Sequence, residues 1–277
     1  MNRIDFMGVI IVDGANPNGD PTNGNRPRTD YEGLGEITSV CIKRKIRNRL
    51  QDDGQRIFVQ SNERSDDGCK SLDMRLKTTP GFDKKMSRDT IRDICCQHWF
   101  DVRAFGQVFA FKGTGDASVP VRGPVTISFA KSLTPVFFRD YAVTRSVNAE
   151  ETGDKRASDT FGNKSIVDRG VYVFHGGIHP QLAEKTGFSD DDVPILKRAI
   201  LHMFNGDESS FRPAGSMELH RLFWWEHDCR NGVCSPARVF RSVSISPSDQ
   251  WPFYDVDMQA EGTRITMEEY VCGELVK

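Results

Sequence analysis

The run Ile4 to Val12 constrains this chain more than any other stretch. It is apolar, rich in β-prone residues, and stops at Asp13-Gly14, so it predicts a buried strand. A buried strand needs a core to lie in, and 277 residues can supply one, as two domains or as one large domain with insertions. A chain near that size hides about three quarters of its unfolded surface, so neither disulfides nor metal are required for stability. With 38% apolar and 27% charged residues, composition is that of an ordinary globular protein and excludes disorder, collagen and coiled coil. No run of about 18 uncharged apolar residues occurs, and the N-terminus lacks the basic flank, apolar stretch and small-residue cleavage site of a secretory signal. The expectation is a soluble, unsecreted protein with no membrane partner. Seven scattered cysteines suit reduced thiols, hence a cytoplasmic location.

Downstream, Gly, Pro and Asn crowd residues 14–35, which predicts a long loop without regular elements. Thr38 or Ser39 can then cap a helix whose Ile42, Ile46 and Leu50 form one narrow apolar stripe, with a cationic face opposite. The stretch 52–80 is polar, and Ser87 opens a second helix through Ile91, Ile94, Cys95, His98, Trp99 and Val102. Strands are predicted over Val121 to Phe129, Val136 to Val143 and Gly170 to Ile178, with a polar protruding hairpin between the last two at 146–165. Ser189, three following aspartates and Pro194 start another helix. Two more strands fit Met217 to Glu226 and Val239 to Ile245, and the remainder from Pro247 reads as irregular or weakly strand-like.

Reduced to its core, this order is βαββαβ, the ferredoxin-like arrangement of RNA-recognition domains. The expected fold class is therefore α+β, one domain over residues 1–277 with a modified RNA-recognition-motif core. Insertions at 52–120 and 146–165 are expected to decorate a single central antiparallel sheet rather than to build a second core.

Formal net charge is −2, but it is unevenly spread: residues 1–150 hold 23 Lys/Arg against 19 Asp/Glu, residues 151–277 hold 14 against 20. Between Arg26 and Leu50 seven basic residues face three acids, Asp30, Glu32 and Glu36, which implies a local basic face. Hydroxyls and amides at Thr38 and Ser39 can hold a phosphate while Lys43, Arg44, Lys45 and Arg47 reach its neighbours. The plain alternative is a solvated basic helix. Arg26 and Arg28, in the Gly/Asn-rich loop just upstream, add two cations and flexible backbone donors suited to a sugar-phosphate chain.

Other chemistry is weaker. Neither glycine-rich nucleotide signature is present in that loop. Asp13, Asp20 and Asp30 are candidate metal ligands of a ribonuclease, although such residues more often make side-chain turns. His220, His227, Cys229 and Cys234 lack the paired short spacings of a zinc site. Cys95-Cys96 reads as helix core, and no nucleophile signature accompanies any cysteine. Arg169 to Phe174 partly imitates an RNA-recognition strand, but Val171 and Val173 replace the stacking aromatics, so RNA is expected elsewhere than on that sheet face. Of Trp224 and Trp225, which point to opposite sides of a strand, at least one belongs to the core.

Taken in order, these residues resemble the repeated backbone subunit family of type I CRISPR Cascade complexes, specifically its type I-C branch. The carriers are Asn16-Pro17-Asn18-Gly19-Asp20-Pro21, Asn25-Arg26-Pro27-Arg28, Thr38-Ser39 with Lys43 to Arg47, Asp101-Val102-Arg103-Ala104-Phe105-Gly106, Val121-Arg122-Gly123-Pro124-Val125, Thr144-Arg145-Ser146 and Gly170 to Val173. The resemblance implies a hand-shaped fold, its insertions forming finger and thumb lobes, that binds CRISPR RNA without catalysis or cofactor. Implied RNA contacts are Thr38, Ser39, Lys43, Arg44, Lys45 and Arg47, with Arg26, Arg28, Arg103, Arg122, Arg145 and Lys164. The thumb is implied at 146–165, where Phe161-Gly162-Asn163-Lys164 departs from the family's frequent Met-Gly-Arg-Lys. Implied partners are neighbouring copies, the guide-end-capping, large and small Cascade subunits, and target DNA paired through the guide.

Overall fold

The computed structural model describes residues 1–110, 118–144, 161–259, 262 and 264–277. Nine strands form the main sheet: β1 (Ile4–Ala15), β2 (Leu34–Ile37), β3 (Val125–Ile127), β4 (Ala130–Pro135), β5 (Phe138–Thr144), β6 (Phe161–Ile178), β7 (Met217–His227), β8 (Ile265–Val271) and β9 (Glu274–Leu275). Their order is β9-β8-β7-β1-β6-β4-β2, with β3 and β5 also paired to β6, and these pairings are antiparallel. Among the described residues seven α-helices accompany it: α1 (Ser39–Asp52), α2 (Leu72–Lys77), α3 (Arg88–His98), α4 (Phe100–Phe105), α5 (Pro180–Thr186), α6 (Asp192–Leu201) and α7 (Pro236–Phe240). The result is a mixed α+β fold built on a large antiparallel sheet.

β1 is apolar throughout because both of its faces are covered. Phe6, Ile10 and Val12 lie under α1 and α6, against Ile42, Ile46, Leu50, Leu196 and Ile200. Met7, Val9 and Ile11 face the other way, toward Val239 of α7 and toward Val243 and Tyr254 of a hairpin, Val243–Pro247 with Tyr254–Met258. Trp224 and Trp225 divide between the two layers and both are buried, so neither is free to stack a base.

Several expectations are corrected. Residues 14–35 are ordered: Gly19–Asp20 pairs with Arg26–Pro27 across a tight turn that the Asp20 carboxylate caps by accepting Thr22 N–H at 3.0 Å. Val239 to Ile245 is not one strand, because Ser235-Pro236 opens α7 first and proline suits a first helical turn. Val121 to Phe129 is split between a strand at Val119–Arg122, paired with Gly106–Phe109, and β3. The acid-rich start near Ser189 leads through one turn into α6 at Asp192, whose carboxylate reaches back to accept Ser189 N–H at 3.0 Å in the manner of a capping box. Beyond Pro247 the chain supplies three strands.

The insertion after α1 also does more than decorate. Phe58, Leu76, Ile91, Cys95, Trp99, Phe109 and Val121 make a buried cluster separate from those flanking the sheet. Of the expected hairpin at 146–165, residues 146–160 lie outside the described residues. β5 and the start of β6 pair from Phe138 with Val167 out to Thr144 with Phe161.

Candidate nucleic-acid interface

Thr38 sits in extended backbone just before α1, and its hydroxyl accepts Cys41 N–H at 3.2 Å, closing the helix N-terminus. The upstream loop is folded onto this end: Asn18 Oδ1 accepts Thr38 N–H at 2.9 Å, and Asn16 Nδ2 donates to Asn25 O at 2.6 Å. Ser39 and Lys43 are one turn apart, so they share a face of α1.

The expected cations fall into two groups. Lys45 and Arg47 are buried. Lys45 pairs with Asp207, which also accepts Arg212 Nε at 2.9 Å; Arg47 Nε donates to Asp101 at 2.9 Å. Arg103 grips both oxygens of Asp192, at 3.1 and 2.8 Å. A cation taken from water needs a carboxylate beside it, and here the carboxylates come from distant parts of the chain. In this structure these three expected phosphate contacts are each paired with a carboxylate of the chain itself. Arg28 leans on Asp20 at 3.3 Å and Arg26 on Asp140 of β5 at 2.6 Å, both at accessible positions.

Lys43, Arg44 and Arg122 form the second group. Arg44 Nη1 donates only to a carbonyl, Val59 O, at 2.6 Å. Lys43 Nζ stands 5.3 Å from the centre of the Phe105 ring, with the Arg47 guanidinium 5.1 Å from the same ring. Burial, then the nearby Arg47, push the Lys43 ammonium and the Arg44 guanidinium below their usual pKa values. Phe105 leads into Gly106, which lies directly opposite Arg122. A Cβ on Gly106 or Gly123 would collide with the backbone across that ladder, so glycine holds Arg122 close to α4. Arg122 is exposed and, among the described residues, neither it, Lys43 nor Arg44 has a carboxylate partner. Asp101 nearby offsets part of the charge at Arg44, and an anion brought to Lys43 or Arg122 would meet a cation with no ion-paired carboxylate among the described residues.

Lys164, on β6, donates to Ser210 O and stands 5.6 Å from the Phe211 ring centre, away from α1 in sequence and held by its own neighbours. Arg145 lies outside the described residues. Phe105, whose ring both Lys43 and Arg47 approach, joins the candidate residues, and its sequence signal is its place two residues after Arg103 and directly before Gly106.

The three loop aspartates do not converge. Thr22, with Arg28 behind it, holds the Asp20 carboxyl below its usual range; Lys131, at 2.7 Å, with the Leu34 and Glu32 amides, does the same for Asp30. His227 Nε2 bonds Asp5 Oδ2 at 2.9 Å while its Nδ1 accepts Val233 N–H at 3.0 Å, and His220 Nδ1 meets the Tyr254 hydroxyl at 2.5 Å. Among the described residues no three His, Cys, Asp or Glu side chains gather into a metal-binding group.

A family model described as CRISPR-associated protein Cas7 matches residues 2–262. The chain belongs to the Cas7 family. A curated relative from Haloferax volcanii, "CRISPR-associated protein Cas7", is 31% identical over 212 residues, which cover 71% of this chain and 62% of the relative. This Cas7-family chain thus spans less than two thirds of that relative's length. A solved chain described as "CRISPR RNA-guided surveillance complex, pre-nicking" superposes with a TM-score of 0.54 over 90% of this chain and 84% of its own, at 12% identity, and so shares the fold. The Cas7 match runs through the Asn/Gly loop, α1, α4 and the Arg122 ladder, the elements that assemble the cationic patch.

Proposed function

We propose that this Cas7-family chain is the RNA-binding backbone subunit of a Cascade-type surveillance complex of the type I-C branch, repeated along one CRISPR RNA. The observation that carries the reading is that, among the described residues, Lys43, Arg44 and Arg122 have no carboxylate partner, with Lys43 standing over Phe105 and Arg122 on the glycine-held ladder into which Phe105 leads. Thr38 and Ser39 complete the grip at the head of α1, with Arg26 and Arg28 reachable once a phosphate competes with Asp140 and Asp20. Phosphate contacts carry no sequence information, so any spacer is held equally and its bases stay available for pairing with target DNA.

Support for a ferredoxin-like, RNA-recognition-type core comes from the strand order β7-β1-β6-β4 with α1 and α6 together on one face. Because α7 and the 243–258 hairpin cover much of the opposite face, the phosphate grip runs along α1 and the loop before it. The ladder of β5 and β6 suits a thumb directed at a neighbouring copy, and one head-to-tail contact repeated without closure gives an open filament. The remaining partners are the guide-end-capping, large and small subunits, the setting is the cytoplasm, and the role is non-catalytic, with Asp20 and Asp30 serving as turn carboxylates.

The test is binding of single-stranded RNAs of unrelated sequence. Lys43→Glu with Arg122→Glu weakens all of them by the same factor. It also lowers the slope of log affinity against log salt by about 1.4, from about 0.7 per phosphate contact on single strands. Unchanged affinity and slope would remove the patch from the interface. Guide RNA incubated with the protein and Mg²⁺ stays intact; cleavage lost on Asp20→Ala or Asp30→Ala would instead establish a ribonuclease.

A further inference from the structure

On the sheet face away from α1, at the root of the β5–β6 ladder, a cavity of about 580 Å³ opens between the β4–β5 turn, the middle of β6 and the 247–253 loop. Three side chains define it. The Arg169 guanidinium carbon lies over the Phe253 ring, 3.9 Å from its centre, and Phe137 stands at the rim 78% exposed. Among the described residues Arg169 has no carboxylate within ion-pair distance, so its planar cation is committed to the ring and to whatever enters the cavity.

Phe253 holds this position at φ +70°, a left-handed conformation that bulky side chains rarely adopt. The neighbouring Trp251, 61% exposed, packs edge-on against it at 5.4 Å. Backbone strain kept at the wall of a cavity is characteristic of binding sites. An Arg plane and aromatic rings exposed together are the parts that stack an unpaired nucleobase. Asp249, also lining the cavity, repels phosphate but accepts from the amino group of a base edge.

We propose that this cavity is a stacking site for an unpaired base of single-stranded nucleic acid, separate from the phosphate grip on α1. The proposal rests on the reading that the chain holds nucleic acid, and its test separates the two. Three labelled probes of equal length are titrated against the full chain: oligouridylate, oligothymidylate and an abasic deoxyribose-phosphate chain. Phe253→Gly removes the ring at a backbone angle glycine adopts without strain. Arg169→Gln and Phe137→Ala act at exposed positions, and unchanged thermal midpoints show that these two variants fold.

Phe253→Gly and Arg169→Gln are expected to weaken the base-bearing probes by about 5- to 150-fold, the effect of one lost base–aromatic stack, and to leave the abasic chain unchanged. Lys43→Glu weakens all three. A loss confined to oligouridylate marks the guide as the source of the base, and one that includes oligothymidylate admits the target strand. Parent-like binding of base-bearing probes by the cavity variants, while Lys43→Glu still weakens everything, would overturn the stacking site and leave the proposed function standing. Absence of binding to any probe by the parent would overturn both. Cavity variants that lose self-association instead, with oligonucleotide binding intact, would overturn the proposal and make the cavity a contact between copies.

Discussion

Asp101→Ala is the sharpest test of how the two cores are joined. The Asp101 carboxylate is 1% exposed and accepts three hydrogen bonds: Arg47 Nε at 2.9 Å, Phe58 N–H at 2.7 Å and Val59 N–H at 3.1 Å. It therefore ties α4 both to α1 of the main core and to the segment that carries Phe58 into the second cluster. Alanine strands a guanidinium in the interior and leaves two amides without acceptors. Removing one partner of a buried ion pair costs about 3–5 kcal/mol, and each orphaned buried amide about 1–3 kcal/mol. These terms overlap, so a loss of about 4 kcal/mol is the lower expectation, a large part of the roughly 5–15 kcal/mol that holds a native protein together.

Arg47→Met is expected to cost less. Methionine keeps an apolar stem near Phe105, and Asp101 retains its two amide donors. Urea unfolding followed by tryptophan fluorescence reads the difference, because Trp99 is buried in the second cluster with its ring 5.8 Å from that of Phe58. The expected order of midpoints is parent, then Arg47→Met, then Asp101→Ala, while Lys43→Glu stays near the parent. A midpoint for Asp101→Ala equal to the parent, or one above that of Arg47→Met, would refute the account of Asp101 as the joint.

Lys45→Glu sets a second carboxylate against the largely buried Asp207 and should lower stability by about 3–5 kcal/mol, whereas Lys45→Met, which leaves Arg212 on Asp207, should cost less; equal midpoints for the two would show that the pair is not what matters there. A Cβ at Gly35 would clash with the Tyr172 hydroxyl, which is buried with no hydrogen-bond partner among the described residues, so Gly35→Ala should cost about 1–3 kcal/mol and Tyr172→Phe should recover part of it. If Tyr172→Phe leaves the Gly35→Ala midpoint untouched, the clash is elsewhere. Burial lowers the pKa values of His175 and His220 in the fold, with Arg221 adding to the effect at His220. The fold therefore favours neutral imidazole: this stability is complete above the unfolded value of about 6.5 and is lost as pH falls through it toward the lower folded values. Thermal midpoints should drop below about pH 6.5, less steeply in His175→Gln, and an unchanged slope in that variant would exclude His175 as a source.

β1 and α1 were legible because their signals are local: an unbroken apolar run, and Ile42, Ile46 and Leu50 four residues apart behind a threonine cap. α7 was not, since Val239-Phe240 reads as strand and only Ser235-Pro236 marks a helix start. The second core was hidden because its members, from Phe58 to Val121, meet only through tertiary folding. The cations show most clearly where reading a window of sequence stops. Counting charges between Arg26 and Leu50 sets seven bases against Asp30, Glu32 and Glu36, yet Asp30 and Glu36 lie against Lys131, outside the window. Conversely Arg26, Lys45 and Arg47 are matched by Asp140, Asp207 and Asp101, also outside it. A local excess of lysine and arginine thus says that cations are present, not which of them are uncompensated. That depends on carboxylates 54 and 162 residues away for Arg47 and Lys45, while among the described residues Lys43, Arg44 and Arg122 are left without a carboxylate partner.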